Sequence, residues 1–145
     1  MSDLQSLYQE LILDHQKHPH GFGLEPGAAA SSHQINPTCG DEVTLELHMA
    51  SDSDTVTSVK WVGHGCAISQ ASASLFSEMA AGHTLPELDE RIDAFRTALR
   101  SRGQIEPDEE LLGDAAVLGG VSKYIARVKC AMLAWVAAED ALASL

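Results

Sequence analysis

Three cysteines carry most of the chemistry available to this chain of 145 residues: Cys39, Cys66 and Cys130. Cys39 lies in Asn36-Pro37-Thr38-Cys39-Gly40-Asp41, a tight turn just before a strand. Gly40 admits backbone torsions that other residues resist, so the Cys39 sulfur and the Asp41 carboxylate can face a common centre. Cys66 follows Gly63-His64-Gly65 at a boundary between strand and helix, and Cys130 sits in Arg127-Val128-Lys129-Cys130 near the start of the last helix. Zinc takes four ligands from Cys, His and Asp or Glu, and Cys39, Asp41, Cys66 and Cys130 supply four. Two of the thiols fall at or near helix N-termini, where the helix dipole favours the thiolate that binds metal. The separations lack the close Cys-x-x-Cys pairs of a zinc ribbon. Spacing alone therefore leaves two readings open, a metal site or three small buried hydrophobes.

The elements that must position these groups follow from periodicity. Leu4, Leu7 and Leu11 predict an N-terminal helix ending at His18-Pro19. Gly21 to Ser32 reads as a loop by composition. Val43, Leu45, Leu47 and Met49 alternate with polar residues, which predicts a strand with one buried face. A turn at residues 51–54 and a second strand from Val56 to Val62 complete a hairpin. Ile68, Ser72, Leu75 and Met79 then share a helical face. Thr84 and Glu87 predict a capping box for a helix carrying Leu88, Ile92, Phe95 and Leu99 and stopped by Gly103. Pro107 opens a further helix that ends at Gly119-Gly120, and the last helix runs from about Tyr124 to Leu145. A strand block followed by a helical block predicts an α+β fold, here as one domain over residues 1–145.

Composition removes several function classes. The formal charge is −12 and hydrophobic residues make up 45% of the chain. Such an acidic chain is repelled by phosphate backbones and by anionic membrane surfaces, so neither nucleic acid nor membrane is an expected partner. A basic partner, or a basic patch on one, suits its overall charge. No apolar run approaches the roughly 18 residues of a membrane span, and acids interrupt the N-terminal apolar pattern. The expected location is the cytoplasm, where thiols stay reduced and three cysteines serve metal binding or catalysis.

The three cysteine settings together, NPTCGD, GHGCAISQASAS and RVKCAMLAW, resemble the IscU/NifU-like proteins of iron–sulfur cluster assembly. Within that family they look most like the SufU branch, the zinc-dependent sulfur-transfer proteins that work with a cysteine desulfurase. The resemblance covers nearly the whole chain. Scaffold members have a histidine directly before the last cysteine, where this chain has Lys129, and they lack a helical segment such as Glu87 to Arg102. The resemblance implies an IscU/SufE-like fold, a small antiparallel sheet of about three strands packed against several helices. It implies a sulfurtransferase in which Cys39 accepts persulfide sulfur from a SUF-type cysteine desulfurase. Asp41, Cys66 and Cys130 then retain Zn2+, and the sulfur passes on to a downstream SUF cluster scaffold. Two other roles fit the same ligands: an iron-binding scaffold for a [2Fe-2S] cluster, and a structural-zinc activator of the desulfurase. Arg127 and Lys129 are candidates for electrostatic support of a thiolate or persulfide; solvated helix-end charges or partner contacts are the alternative.

The remaining candidates are weaker. His15, His18 and His20 cluster where the first helix ends, which suits a favourable dipole contact better than a second metal site. His48 is expected to be exposed. His64 reads as a loop histidine or an outer-shell group, and His33 lies near the NPTCGD turn. Trp61 and Trp135 read as core or anchoring residues. Ser72 and Ser74 have no acid–base partner close in sequence, so a serine hydrolase has no support.

Overall fold

A computed structural model describes residues 2–38, 40–51 and 53–145, with side chains from residue 9 onward. Helix α1 (Ser2–Lys17) leads into strands β1 (Ala30–Asn36), β2 (Asp41–Met49) and β3 (Val56–His64), and helices α2 (Ala67–Ala80) and α3 (Leu85–Leu99) follow. A single turn, α4 (Glu109–Leu112), runs into a 3-10 segment (Gly113–Lys123), and α5 (Ile125–Ala143) closes the chain. The strands form an antiparallel sheet in the order β1-β2-β3. This is the expected α+β architecture.

The core lies between the sheet and the helices. Val43, Leu45 and Leu47 of β2, Val59 and Trp61 of β3, and Trp135, Leu133 and Ala137 of α5 are buried in it. Helix α5 packs across β1 and β2 and also against α2, which in turn contacts β3 and α1. The Trp135 ring stacks on Phe95 of α3, with centroids 3.8 Å apart, and meets Phe76 of α2 edge-on at 4.8 Å. Both tryptophans are core residues.

One buried polar contact fastens α2 to α5. The Trp135 indole N–H donates to Ser72 Oγ at 2.9 Å, and the Ser72 hydroxyl donates to the Ala131 carbonyl. Ser72 is fully buried, so no water can replace either bond. Ser72→Ala strands the indole N–H without an acceptor and is expected to cost about 1–3 kcal/mol. Urea unfolding of the variant beside wild type measures it, and an unchanged midpoint would show that the pair does not hold the helices together.

Three expectations need correction. The stretch from Gly21 to Ser32 is not all loop, because β1 begins at Ala30. Its inward positions are Ala30, Ser32 and Asn36, while Ile35 is 54% exposed. The strand therefore shows no apolar alternation; Ser32 instead donates a hydrogen bond from its hydroxyl to Asp140 of α5. His48 is buried rather than exposed. A β-bulge at His48/Met49 shifts the register, so Leu47 and His48 are both covered. The helix after Pro107 lasts one turn, capped by Asp108. Gly113 then starts eleven residues of 3-10 structure, which runs through the Gly119-Gly120 pair. The capping box fits its expectation: the Thr84 hydroxyl accepts from the Glu87 N–H, and the Glu87 carboxylate accepts from the Thr84 N–H. Asp52, in the expected turn at 51–54, lies outside the described residues.

Candidate metal centre

β2 and β3 pair in a register that sets Glu42 opposite His64. Asp41, the first residue of β2, thereby comes beside Gly65 and Cys66, which end the β3 connection and start α2. Cys66 is the N-cap residue of α2, with extended backbone torsions. Its N–H donates to Asp41 Oδ1 at 2.9 Å, and its Sγ lies 3.8 Å from Asp41 Oδ2. The packing of α5 across β1 and β2 brings Cys130 to the same place. One ligand atom from each of Asp41, Cys66 and Cys130 lies within 4.8 Å of the others.

Burial sharpens the electrostatics of this group. Asp41 is 1% exposed and Cys130 is 6% exposed, with Cys66 partly buried. Buried charges of one sign demand a compensating cation, and a carboxylate with two thiols is a donor set that zinc accepts. Cys66 sits at the N-terminus of α2. Cys130 falls in the second turn of α5, and its Sγ lies 3.6 Å from the Ala126 carbonyl.

Cys39 lies outside the described residues; its neighbours on both sides are described. The connection from β1 to β2 is organised by Asn36, which is buried. Asn36 Oδ1 accepts from the Thr38 N–H at 3.2 Å, and its carbonyl accepts from the Gly40 N–H at 2.8 Å. Gly40 has φ +75, a conformation open chiefly to glycine.

Gly65 makes the close approach of Asp41 possible. Its φ is +155, and a Cβ at this position would overlap Asp41 Oδ1 and crowd Ser69 Oγ. Gly65→Ala is therefore expected to push the carboxylate off the Cys66 N–H. The loss in zinc affinity should be about 10–100-fold, the range seen when an orienting contact is removed. Competition with a chromophoric chelator measures it. Wild-type affinity in the variant would show that the Asp41–Cys66 contact does not shape the site.

Arg127 and Lys129 are exposed. Both line an open cleft of about 610 Å3, together with Asn36, Thr38, Cys66 and Cys130. A second groove of about 540 Å3 shares Asn36, Thr38, Ile125 and Lys129 with the cleft and extends it to Arg100 and Arg102. None of these four basic residues has an ion-pair partner among the described residues, whereas Lys60, Arg91 and Arg96 all do. The mouth of the site is thus locally cationic in a strongly acidic chain. Overall charge gave no sign of this, because the four residues are scattered through the sequence and only the fold gathers them.

His33 and His64 gather on Glu42, the residue after Asp41, rather than joining the thiols. Each contacts the Glu42 carboxylate, and these hydrogen bonds, His33 first, hold Glu42 below the usual carboxylate range. His15 lies in the last turn of α1, where it was expected, and its ring turns inward: its Nδ1 lies 2.6 Å from Ser74 Oγ. That contact joins residues 59 apart, so the sequence around Ser74 could not show it.

The family model of the NifU-like N-terminal domain matches residues 7–143. The chain is 36% identical to the iron–sulfur cluster assembly scaffold protein IscU of Streptococcus pyogenes serotype M1, over 98% of this chain and 86% of that protein. It is also 36% identical to the zinc-dependent sulfurtransferase SufU of Bacillus subtilis, over 98% of this chain and 93% of that protein. Among solved structures, an iron–sulfur cluster assembly scaffold protein for the SUF system from Fervidobacterium islandicum AW-1 superposes with a TM-score of 0.78. It is 36% identical, and the match covers 92% of this chain and 94% of that one. No described helix is long and apolar enough to cross a membrane. The cysteine settings, the antiparallel sheet and a family match that runs nearly from end to end agree: this chain belongs to the NifU-like N-terminal domain family of iron–sulfur cluster assembly proteins.

Proposed function

We propose that this protein is a zinc-dependent sulfurtransferase that takes persulfide sulfur from a SUF-type cysteine desulfurase on Cys39 and passes it to a cluster scaffold in the cytoplasm. The convergence of Asp41, Cys66 and Cys130 supports this reading most directly. They would hold the zinc ion, with Cys39 as the fourth donor within one 145-residue domain. When bound, zinc stabilises thiolates at neutral pH.

The chain's own groups account for the transfer. The Cys39 thiolate attacks the outer sulfur of the donor persulfide; a new S–S bond forms at Cys39, the donor S–S bond breaks, and the donor cysteine leaves as a thiolate. No net oxidation occurs. Arg127 and Lys129, at the mouth of the cleft, favour the anionic persulfide as it arrives. The groove continuing to Arg100 and Arg102 offers a cationic, partly apolar track for the partner's loop.

The assembly of a [2Fe-2S] cluster on the same ligands is the second reading, and the equal identity to a scaffold relative favours keeping it. Lys129 weighs against it, since it stands where scaffold members carry an additional histidine ligand. Incubation with the desulfurase and cysteine, followed by intact-mass and zinc analysis, tests the choice. One zinc per chain with a +32 Da adduct, roughly one sulfur atom, on Cys39 supports transfer. A stable coloured cluster on protein that never carries the adduct would replace transfer by scaffolding.

A further inference from the structure

We infer that a second divalent-cation site lies at the far end of α2, formed by His15 of α1, Glu78 of α2 and Asp114 of the 3-10 segment. One nitrogen or oxygen from each lies within 4.8 Å of the others. The three ligands come from three separate elements, and α2 touches both of the others. Glu78 is twelve residues beyond Cys66, roughly 18 Å along the helix axis at about 1.5 Å of rise per residue. This site is therefore distinct from the cysteine group at the opposite end of α2.

His15 is held in a way that suits a ligand. The residue is 6% exposed, and Nδ1 is engaged by the hydroxyl of Ser74, which also accepts from the His20 N–H at 2.7 Å. Nε2 is the nitrogen left for an ion, with the ring fixed by its other contact, as metal-binding imidazoles commonly are. Glu78 and Asp114 are exposed. Neither has a hydrogen bond or ion pair among the described residues, and neither contacts His15 within salt-bridge distance. Two carboxylates thus lie near one imidazole, and no lysine or arginine pairs with either of them among the described residues. The C-terminal end of α2 adds negative potential at the same place.

The donor set identifies the class of ion. One imidazole and two carboxylates, with solvent on the open side, suit a first-row divalent cation such as Mn2+, Fe2+, Co2+ or Zn2+ that keeps water ligands. Ca2+ and Mg2+ prefer all-oxygen shells. Because Glu78 and Asp114 are exposed, their side chains can close onto an ion by rotation alone. Binding would clamp α1 and the 3-10 segment onto α2.

Mn2+ added to the zinc-loaded full chain tests the site by electron paramagnetic resonance. Loss of the free-ion signal should report one bound Mn2+ per chain, with increased hydrogen-exchange protection in α1. Glu78→Gln and Asp114→Asn, both at exposed positions, should each weaken Mn2+ binding by about tenfold or more and leave the bound zinc unchanged. His15→Gln should abolish binding, but its burial puts folding at risk, so the two carboxylate variants decide the matter. Absence of a bound ion at millimolar Mn2+ would overturn the assignment. So would binding that neither carboxylate variant alters.

Discussion

Cys39→Ser is expected to leave a folded, zinc-containing protein whose sulfur acceptance from the desulfurase falls by at least about 10^3-fold, as removal of a covalent nucleophile does. The fold should survive because the turn is held by its backbone and by Asn36. Asn36 closes the turn through Thr38 and Gly40, and Gly40 supplies the left-handed torsion. Asp41, Cys66 and Cys130 remain in mutual reach, so zinc should stay bound, though more weakly. Serine removes the chemistry itself: its hydroxyl is hardly ionised at neutral pH, and oxygen attacks sulfane sulfur poorly. Radiolabelled cysteine with the cognate desulfurase measures acceptance, and circular dichroism with zinc analysis establishes that the variant is intact. A variant that still took up sulfur near the wild-type rate would move the acceptor to another thiol. Cys66 and Cys130 would then be the candidates, and the assignment of roles among the three would have to be redrawn.

What could be read in advance followed from how local each signal was. β2 alternates from Asp41 to Leu47 because one face of the sheet is buried. The capping box at Thr84 and Glu87 is a four-residue pattern, and both its hydrogen bonds form. β1 was illegible because polar residues face α5, where Ser32 meets Asp140 more than a hundred positions away. His48 was misplaced by a bulge that no residue type announces. At the site, the ligand types and their turn and helix-start settings were local and could be named, whereas the grouping of Asp41, Cys66 and Cys130 depends on strand register and on the packing of α5. The cationic groove is hidden for the same reason, with Arg100 and Arg102 just beyond the end of α3 and Arg127 and Lys129 in the first turns of α5. His15 shows the limit most plainly. Its position suggested a dipole contact at the end of α1, whereas the partner of its Nδ1, Ser74, is in α2.

Chelating the zinc is expected to lower unfolding stability by about 3–4 kcal/mol, the linkage energy of an ion present at 100 to 1,000 times its dissociation constant. For a chain of this size that is a fall in melting temperature of about 10 °C. The coupling follows from where the ligands sit. Asp41 starts β2, Cys66 begins α2, and Cys130 lies on α5, so one ion bound there would tie the sheet to both helices that cover it. Without it, an almost wholly buried carboxylate faces two sulfurs across less than 5 Å. The elements that carry them must then shift or part. Either response disturbs the mouth of the cleft, because Cys66 and Cys130 line it together with Arg127 and Lys129. Calorimetry of zinc-loaded and chelated protein checks the expectation, and restoring one equivalent of zinc should recover the transition. Gly65→Ala provides the internal comparison. Its chelated form should melt below chelated wild type, because the added Cβ strains this position with or without an ion, and its gain on adding zinc should be smaller than that of wild type. A transition unmoved by chelation would mean that the ligands meet without help from an ion, and the site would then be a consequence of the fold that contributes nothing to holding it.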